Sequence, residues 1–270
     1  MMGIQEFGDR LLESRDLDPL YCGLYSARLP RPQLARYLLS YWTFYHVGSA
    51  AWMSALSGDT YWHAMRASAV NETSPRDLGL PSDRWPRGAE RRHFRGAKCV
   101  AAVDWLRCQV TDPMVAMDWL SREATAAGVM RLVQGWPLFG PWISFKVADM
   151  MERVWGSRVE FPYSALLLYD EPRAALTLMS QGVGVPGGTP RDQPLEWYLD
   201  KVSQYFAPRP APPGGRRCGP QEVETIMCKF KSYAGGHYHI GKDIRDHRAA
   251  LVGWGDTADK LLAYYPQEVA

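Results

Sequence analysis

The segment Arg84 to Lys98, RWPRGAERRHFRGAK, carries six basic residues (Arg84, Arg87, Arg91, Arg92, Arg95 and Lys98) against one acid, Glu90. A guanidinium donates two parallel hydrogen bonds to neighbouring oxygens, so arginines at this density suit phosphate. The plain alternative is a solvated basic helix face, but Trp85, Pro86, Gly88 and Gly96 interrupt any smooth face and favour a shaped turn. A second constellation, Cys228 to Ile244 (CKFKSYAGGHYHIGKDI), gathers Lys229, Lys231, His237, His239, Lys242 and Asp243 around Gly235-Gly236, where the backbone can approach a ligand closely. Anion contact and proton transfer are the chemistry of such a set, with an ordinary surface loop as the alternative. His237 and His239 have no acidic or cysteine partner at familiar metal spacing, so no metal ligands are assigned.

A third segment, Val129 to Val154, places two apolar-periodic runs on either side of a short turn holding Gly135, Pro137, Gly140 and Pro141. That pattern predicts helix, tight hairpin, helix. The hairpin offers backbone N–H groups and the second helix its positive dipole end, which together suit a DNA phosphate without reading sequence. An ordinary αα-hairpin in the core fits the same spacing.

The elements that must hold these groups are helices. Leu34, Tyr37, Leu38, Tyr41, Trp42 and Tyr45 recur at three- and four-residue steps and predict an aromatic-rich amphipathic helix. Asp18-Pro19 and Asp112-Pro113 read as helix starts, each with a capping carboxylate before a proline whose missing N–H is harmless in the first turn. Further helices are predicted near 59–69, 89–109 and 122–134. The stretches 181–190 and 206–220 are rich in glycine and proline and read as loops. Period-two alternation is scarce, so the expected fold is mainly α. The expected organisation is a helical body over 1–205, a link over 206–220 and a C-terminal segment over 221–270 that packs on the body.

The 270 residues suffice for one generous domain or two small ones. A hydrophobic fraction of 46% and a charged fraction of 22% exclude a disordered or collagen-like chain. The net charge, 31 − 29 = +2, is too mild to imply a polyanion partner, so that inference rests on local clustering. Five scattered cysteines without a CxxC pair argue against a disulfide framework and a zinc site and fit a reducing cytosol. No stretch approaches the roughly 18 apolar residues of a membrane span, and no membrane partner is expected.

Gly140-Pro141-Trp142 and Lys146-Val147-Ala148-Asp149 resemble the helix-hairpin-helix segment of base-excision DNA glycosylases. Together with Tyr41 to His46, the 84–98 cluster and Cys228 to Ile244, in that order, the chain resembles the alpha-glutamyl/putrescinyl thymine pyrophosphorylases, or phage amino acid:DNA transferases. The resemblance implies a helix-hairpin-helix glycosylase-like helical fold with a C-terminal extension. It also implies an enzyme of the infected bacterial host's cytoplasm, acting on double-stranded phage DNA that carries a modified pyrimidine. Its reaction would join an amino acid or polyamine to the C5 methylene of pyrophosphorylated 5-hydroxymethyluracil and release pyrophosphate.

That chemistry sets three requirements. An extruded base needs an aromatic receiver, for which Trp42, Tyr45 and His46 are the candidates, with Gly140, Trp142 and Lys146 holding the DNA backbone. Departing pyrophosphate needs preorganised cations, assigned to Arg84, Arg87, Arg91, Arg92 and Arg95 with Lys229, Lys231 and Lys242; a magnesium ion could share this task, and no other cofactor is implied. The incoming amine must lose a proton, for which Asp170 and Glu171 are first choices and His237 and Asp243 follow. Asp149 fits a structural role in the hairpin's second helix. Cys228 is the one cysteine in a basic segment suited to a thiolate, although a small buried apolar role suits it better. The first aspartate after the motif helix is Asp170, later than the glycosylase pattern places its catalytic aspartate. A glycosylase acting on a modified base, and a non-catalytic DNA-binding helical module, are the alternatives.

Overall fold

The computed structural model describes residues 2–163, 166, 169–191 and 193–267. In chain order the longer helices are α1 (Ile4–Ser14), α2 (Pro19–Ala27), α3 (Arg31–Phe44), α4 (Val47–Ala55), α5 (Gly58–Val70), α6 (Gly96–Val110) and α7 (Pro113–Leu120). They continue with α8 (Ala126–Gln134), α9 (Pro141–Met150), α10 (Asp170–Ser180), α11 (Leu195–Phe206), α12 (Pro220–Ala234), α13 (Lys242–Leu251) and α14 (Asp256–Tyr264). Among the described residues the one sheet is a two-stranded antiparallel pair, β1 (Pro210–Ala211) and β2 (Arg216–Arg217). The fold is mainly α, as the helical periodicity predicts. No helix is long and apolar enough to cross a membrane.

The chain divides into two compact units. The first contains residues 1–22, 161–246 and 266–270, and the second 23–160 and 247–265. Positions 1 and 268–270 lie outside the described residues. In the first unit α1 packs on α11 and α12, and α10 on α11 and α12. Its core is aromatic: Phe7 stacks on Tyr233 at 4.9 Å and meets the edge of Phe230 at 5.8 Å. Gly8 is required there, because a Cβ would come within 2.3 Å of the Phe206 ring. Residues 206–220, read from sequence as a link, lie inside this unit. Their prolines and glycines turn the chain through the β1–β2 pair, joining the packed helices α11 and α12.

In the second unit α3 is central and meets α4, α7 and α9. Sequence periodicity predicts one buried face, yet every residue from Tyr37 to Phe44 is buried, since neighbours cover the helix all round. Its polar groups are satisfied locally: the Thr43 hydroxyl donates to Leu39 O at 2.7 Å and the Ser40 hydroxyl to Tyr61 at 3.1 Å. The Asp112 cap is observed, its carboxylate accepting from Met114 N at 2.8 Å. Thr125 caps α8 by accepting from Gly128 N at 3.1 Å. The predicted 89–109 helix begins instead at Gly96, after a short 3-10 turn over Ala89–Arg91.

Candidate functional site

In the second unit α8 and α9 form the expected helical hairpin, with residues 135–140 as its turn and Leu138 at φ +66. The arginine loop docks beside this turn and against the C-terminal end of α3. Gly88 N donates to Phe44 O at 3.1 Å, and a Cβ on Gly88 would lie 2.5 Å from Tyr45 O. Arg91 is 2% exposed, donating from Nε to Thr43 O at 3.1 Å and from Nη1 to Leu138 O at 2.7 Å. Its guanidinium also lies over the Phe94 and Phe139 rings, at 4.5 and 4.7 Å. Its Nη2 is buried and has no hydrogen-bond partner among the described residues. Arg87 donates to the carbonyls of Phe94, Pro86 and Ser68 and covers the Phe44 ring at 3.9 Å. Burial pushes Arg87 down to about 9 and Arg91 to about 10, so both remain cationic at neutral pH. Arg95 donates to Trp85 O at 3.0 Å from the N-cap of α6. Arg84 and Arg92 are exposed.

The five arginines therefore differ in kind. Arg87 and Arg91 tie the loop to α3 and the hairpin, while Arg84 and Arg92 present charge to solvent.

An aromatic row runs along the same region. Tyr45 lies 4.6 Å from Tyr41 and 4.9 Å, edge to face, from Trp142 in the first turn of α9. Tyr45 closes α3 in the left-handed conformation, φ +52, its N–H donating to Tyr41 O. One turn beyond Trp142, the Lys146 ammonium lies 3.9 Å from Asp149, whose other oxygen lies 3.7 Å from Arg153. Asp149 is wholly buried, between cations on adjoining turns of the helix and the π-helical turn Met151–Trp155 that follows. Trp42 has no exposed surface and donates its Nε1 proton to the Met150 sulfur at 3.2 Å, so its ring belongs to the core. His46 is the N-cap of α4; its Nδ1 accepts from Ser49 N at 3.1 Å, and its ring lies 5.4 Å from Trp254. Burial, then the charges of His247 and Arg87, push His46 down to about 4. It is neutral at physiological pH.

The first unit holds the other expected groups. Asp170 and Glu171 occupy the exposed first turn of α10, where Glu171 pairs with Lys231 at 2.8 Å. Lys229 pairs with Asp243 at 2.7 Å, and Lys242 pairs with Asp246. His237 is exposed, and His239 contacts Arg245. The Cys228 thiol donates to Glu224 at 3.1 Å. Among the described residues no group of three or more His, Cys, Asp or Glu side chains is placed to hold a metal ion.

The residue that sequence reading missed is Asp16, fully buried in this cluster. Its carboxylate accepts from the Tyr238 hydroxyl, from Gly241 N at 2.7 Å and from Ile244 N at 3.0 Å. Its backbone carbonyl accepts from Lys229 Nζ. Tyr238 is pushed well above the ordinary phenol value by burial and by the Asp243 and Asp16 carboxylates, so it stays a donor. Asp16 stands only two positions before the legible Asp18-Pro19 helix start, and nothing local announces partners more than two hundred residues away.

The sequence profile of the amino acid:DNA transferases matches residues 12–239. The chain belongs to the amino acid:DNA transferase family. It is also 36% identical to a glycinyltransferase of Pseudomonas phage PaMx11, over 98% of this chain and 95% of the relative. A putrescinyltransferase of Delftia phage PhiW-14 is 24% identical over 98% of this chain and 83% of its own length. As an amino acid:DNA transferase, the chain is an enzyme of DNA modification. Its matched region takes in the arginine loop and the α8–α9 hairpin and, of the Asp16 network, Asp16, Lys229 and Tyr238 but not Gly241, Asp243 or Ile244.

Proposed function

We propose that this transferase joins an amino acid or polyamine to the C5 methylene of pyrophosphorylated 5-hydroxymethyluracil in phage DNA, releasing pyrophosphate, inside an infected bacterium. The observation that carries the reading is end-to-end similarity to a phage glycinyltransferase. Glycine is accordingly the first donor to test, and putrescine the second.

The chemistry divides among the residues as follows. The α9 N-terminus, with exposed Gly140 and open space beside its Cα, takes a DNA phosphate together with Lys146. This carries over the helix-hairpin-helix reading of the segment. Tyr45 and Trp142 supply ring faces and edges for an extruded pyrimidine, with neutral His46 nearby; Trp42 supports them from the core. Arg84 and Arg92 meet the pyrophosphate, joined by Arg95, while Arg87 and Arg91 hold the loop in shape. Within the first unit, Asp170, Glu171, His237 and Asp243 are the carboxylates and histidine whose chemistry suits taking an amine proton.

The test is incubation with DNA containing pyrophosphorylated 5-hydroxymethyluracil and either glycine or putrescine, followed by nucleoside mass spectrometry and pyrophosphate assay. Stoichiometric pyrophosphate is expected, with a nucleoside heavier than 5-hydroxymethyldeoxyuridine by the donor less one water. Alkali-labile strand breaks would instead mark a glycosylase, and salt-dependent binding without any mass change a binding module.

A further inference from the structure

The glycine- and proline-rich stretch 181–190 is assigned no step in the transfer, yet it is held firmly within the first unit. Ile4 N donates to Gly184 O at 2.9 Å, and the hydroxyl of Tyr198 donates to Pro190 O at 2.8 Å. Gly184, at φ +70, packs so closely that a Cβ would come within 2.1 Å of the Phe230 ring. Fixed in this way, the loop lines a cavity of about 160 Å³ together with α1, α10 and α11. The buried side chains of Ile4, Met179 and Val202 give it apolar walls. Three further groups line it. The half-buried Trp197 ring is met edge to face by Tyr198 at 5.0 Å. The exposed Lys201 ammonium lies 5.5 Å from the centroid of that ring and pairs with no acid among the described residues. The half-buried Gln5 amide has no hydrogen-bond partner among the described residues.

An apolar slot alone would take any small hydrophobe. A ring face, an unpaired cation and an unpaired amide beside it narrow the choice, because one ligand class supplies a counterpart for each. We propose that this cavity binds a thymine or uracil nucleotide, its ring on Trp197, its imide edge on Gln5 and its 5′-phosphate on Lys201. The ring fits the space, since a cavity of about 150 Å³ encloses benzene. The Gln5 amide can accept from the ring N–H while donating to a neighbouring ring carbonyl. Stacking on an aromatic side chain with a cation on the backbone phosphate is a general way to hold an unpaired nucleotide. A free nucleotide and an unpaired nucleotide of a DNA strand present the same three groups. The site lies wholly within the first unit, and the assignment goes beyond the transfer reaction without depending on it.

The experiment is calorimetric titration of the full-length protein with dTMP, thymidine, dAMP and a single-stranded oligothymidylate. Trp197→Ala is expected to weaken dTMP binding by about tenfold or more, the scale of one lost base–aromatic stack. Lys201→Gln is expected to weaken dTMP by about twofold to fivefold, as for an exposed ion pair, and to leave thymidine, which has no phosphate, unchanged. Lys201→Arg keeps the charge and is expected to keep dTMP binding. The bicyclic base of dAMP exceeds the cavity, so dAMP is expected to bind more weakly than dTMP. Saturable dTMP binding with these dependences marks a site for a free nucleotide; the same dependences seen with the oligothymidylate alone mark a site for a DNA strand, and either supports the proposal. Because Lys201 is exposed, its substitution leaves the fold intact and keeps the test decisive even if Trp197→Ala unfolds. No binding of dTMP or the oligothymidylate, binding that Lys201→Gln or a folded Trp197→Ala variant leaves unaltered, or dAMP binding as tightly as dTMP overturns the proposal.

Discussion

Arg91 donates from Nη1 to the carbonyl of Leu138 at 2.7 Å, fastening the arginine loop to the turn of a hairpin 47 positions later in the chain. The same guanidinium reaches Thr43 O at 3.1 Å. Replacing Arg91 by Met keeps much of the apolar stem but leaves both carbonyls without this donor. A loss of about 3 kcal/mol is expected, on the scale of a buried hydrogen bond to a charged group plus an unsatisfied acceptor. Chemical denaturation checks it, and an unchanged midpoint would show that water replaces the guanidinium at no cost.

Arg84 and Arg92 should behave oppositely. Both are exposed, so the double Ala variant is expected to keep its melting temperature while weakening DNA binding. The slope of log K against log salt should become shallower by about 1 to 2, as expected for one or two lost phosphate contacts. A salt titration on duplex DNA carrying the pyrophosphorylated base measures this; an unaltered slope removes both residues from pyrophosphate contact.

His46 makes stability depend on pH. Its folded value of about 4 lies below the ordinary 6.5, so between these values the unfolded chain binds a proton that the folded protein refuses. The His46 contribution is complete above about 6.5 and is lost as pH falls toward 4, by about 1 kcal/mol per pH unit at most. Asn keeps an acceptor for Ser49 N and does not titrate. Melting between pH 7 and 5 should therefore fall less in His46→Asn than in the unaltered protein; parallel curves would assign the acid sensitivity elsewhere.

Gly88→Ala tests the seat of the arginine loop. The added methyl would meet Tyr45 O at 2.5 Å and the Tyr45 ring at 2.9 Å, so the loop must lift from the end of α3. A destabilisation of about 1 to 3 kcal/mol is expected, with a change in near-ultraviolet circular dichroism from the displaced Tyr45. Unchanged melting and spectrum would mean that the contact relaxes freely.

Much of the helical layout was legible because it is local. The three- and four-residue spacing announced α3, Asp112-Pro113 announced α7, and Gly135 to Pro141 announced the turn between α8 and α9. The family resemblance was equally available, since it lies in the order of short strings along the chain. The 89–109 prediction ran too far forward because a basic, glycine-interrupted stretch can carry helical residues without being helical; the chain there folds as a short 3-10 turn before Gly96.

Charge type, by contrast, did not reveal charge use. The sequence presents Arg84, Arg87, Arg91, Arg92 and Arg95 as equals. Tertiary packing separates them, because an arginine's fate depends on whether carbonyls and aromatic faces converge on it, and Thr43, Leu138, Phe94 and Phe139 converge on Arg91 from three separate segments. Asp16 is the stronger case: its acceptor oxygens acquire meaning only when Tyr238, Gly241 and Ile244 fold against them. Sequence determined the helical periods, the hairpin and the family, all encoded by near neighbours. Which polar groups are buried, paired or left facing solvent was decided by the three-dimensional structure, since desolvation and hydrogen bonding act between atoms close in space, however far apart they lie in the chain.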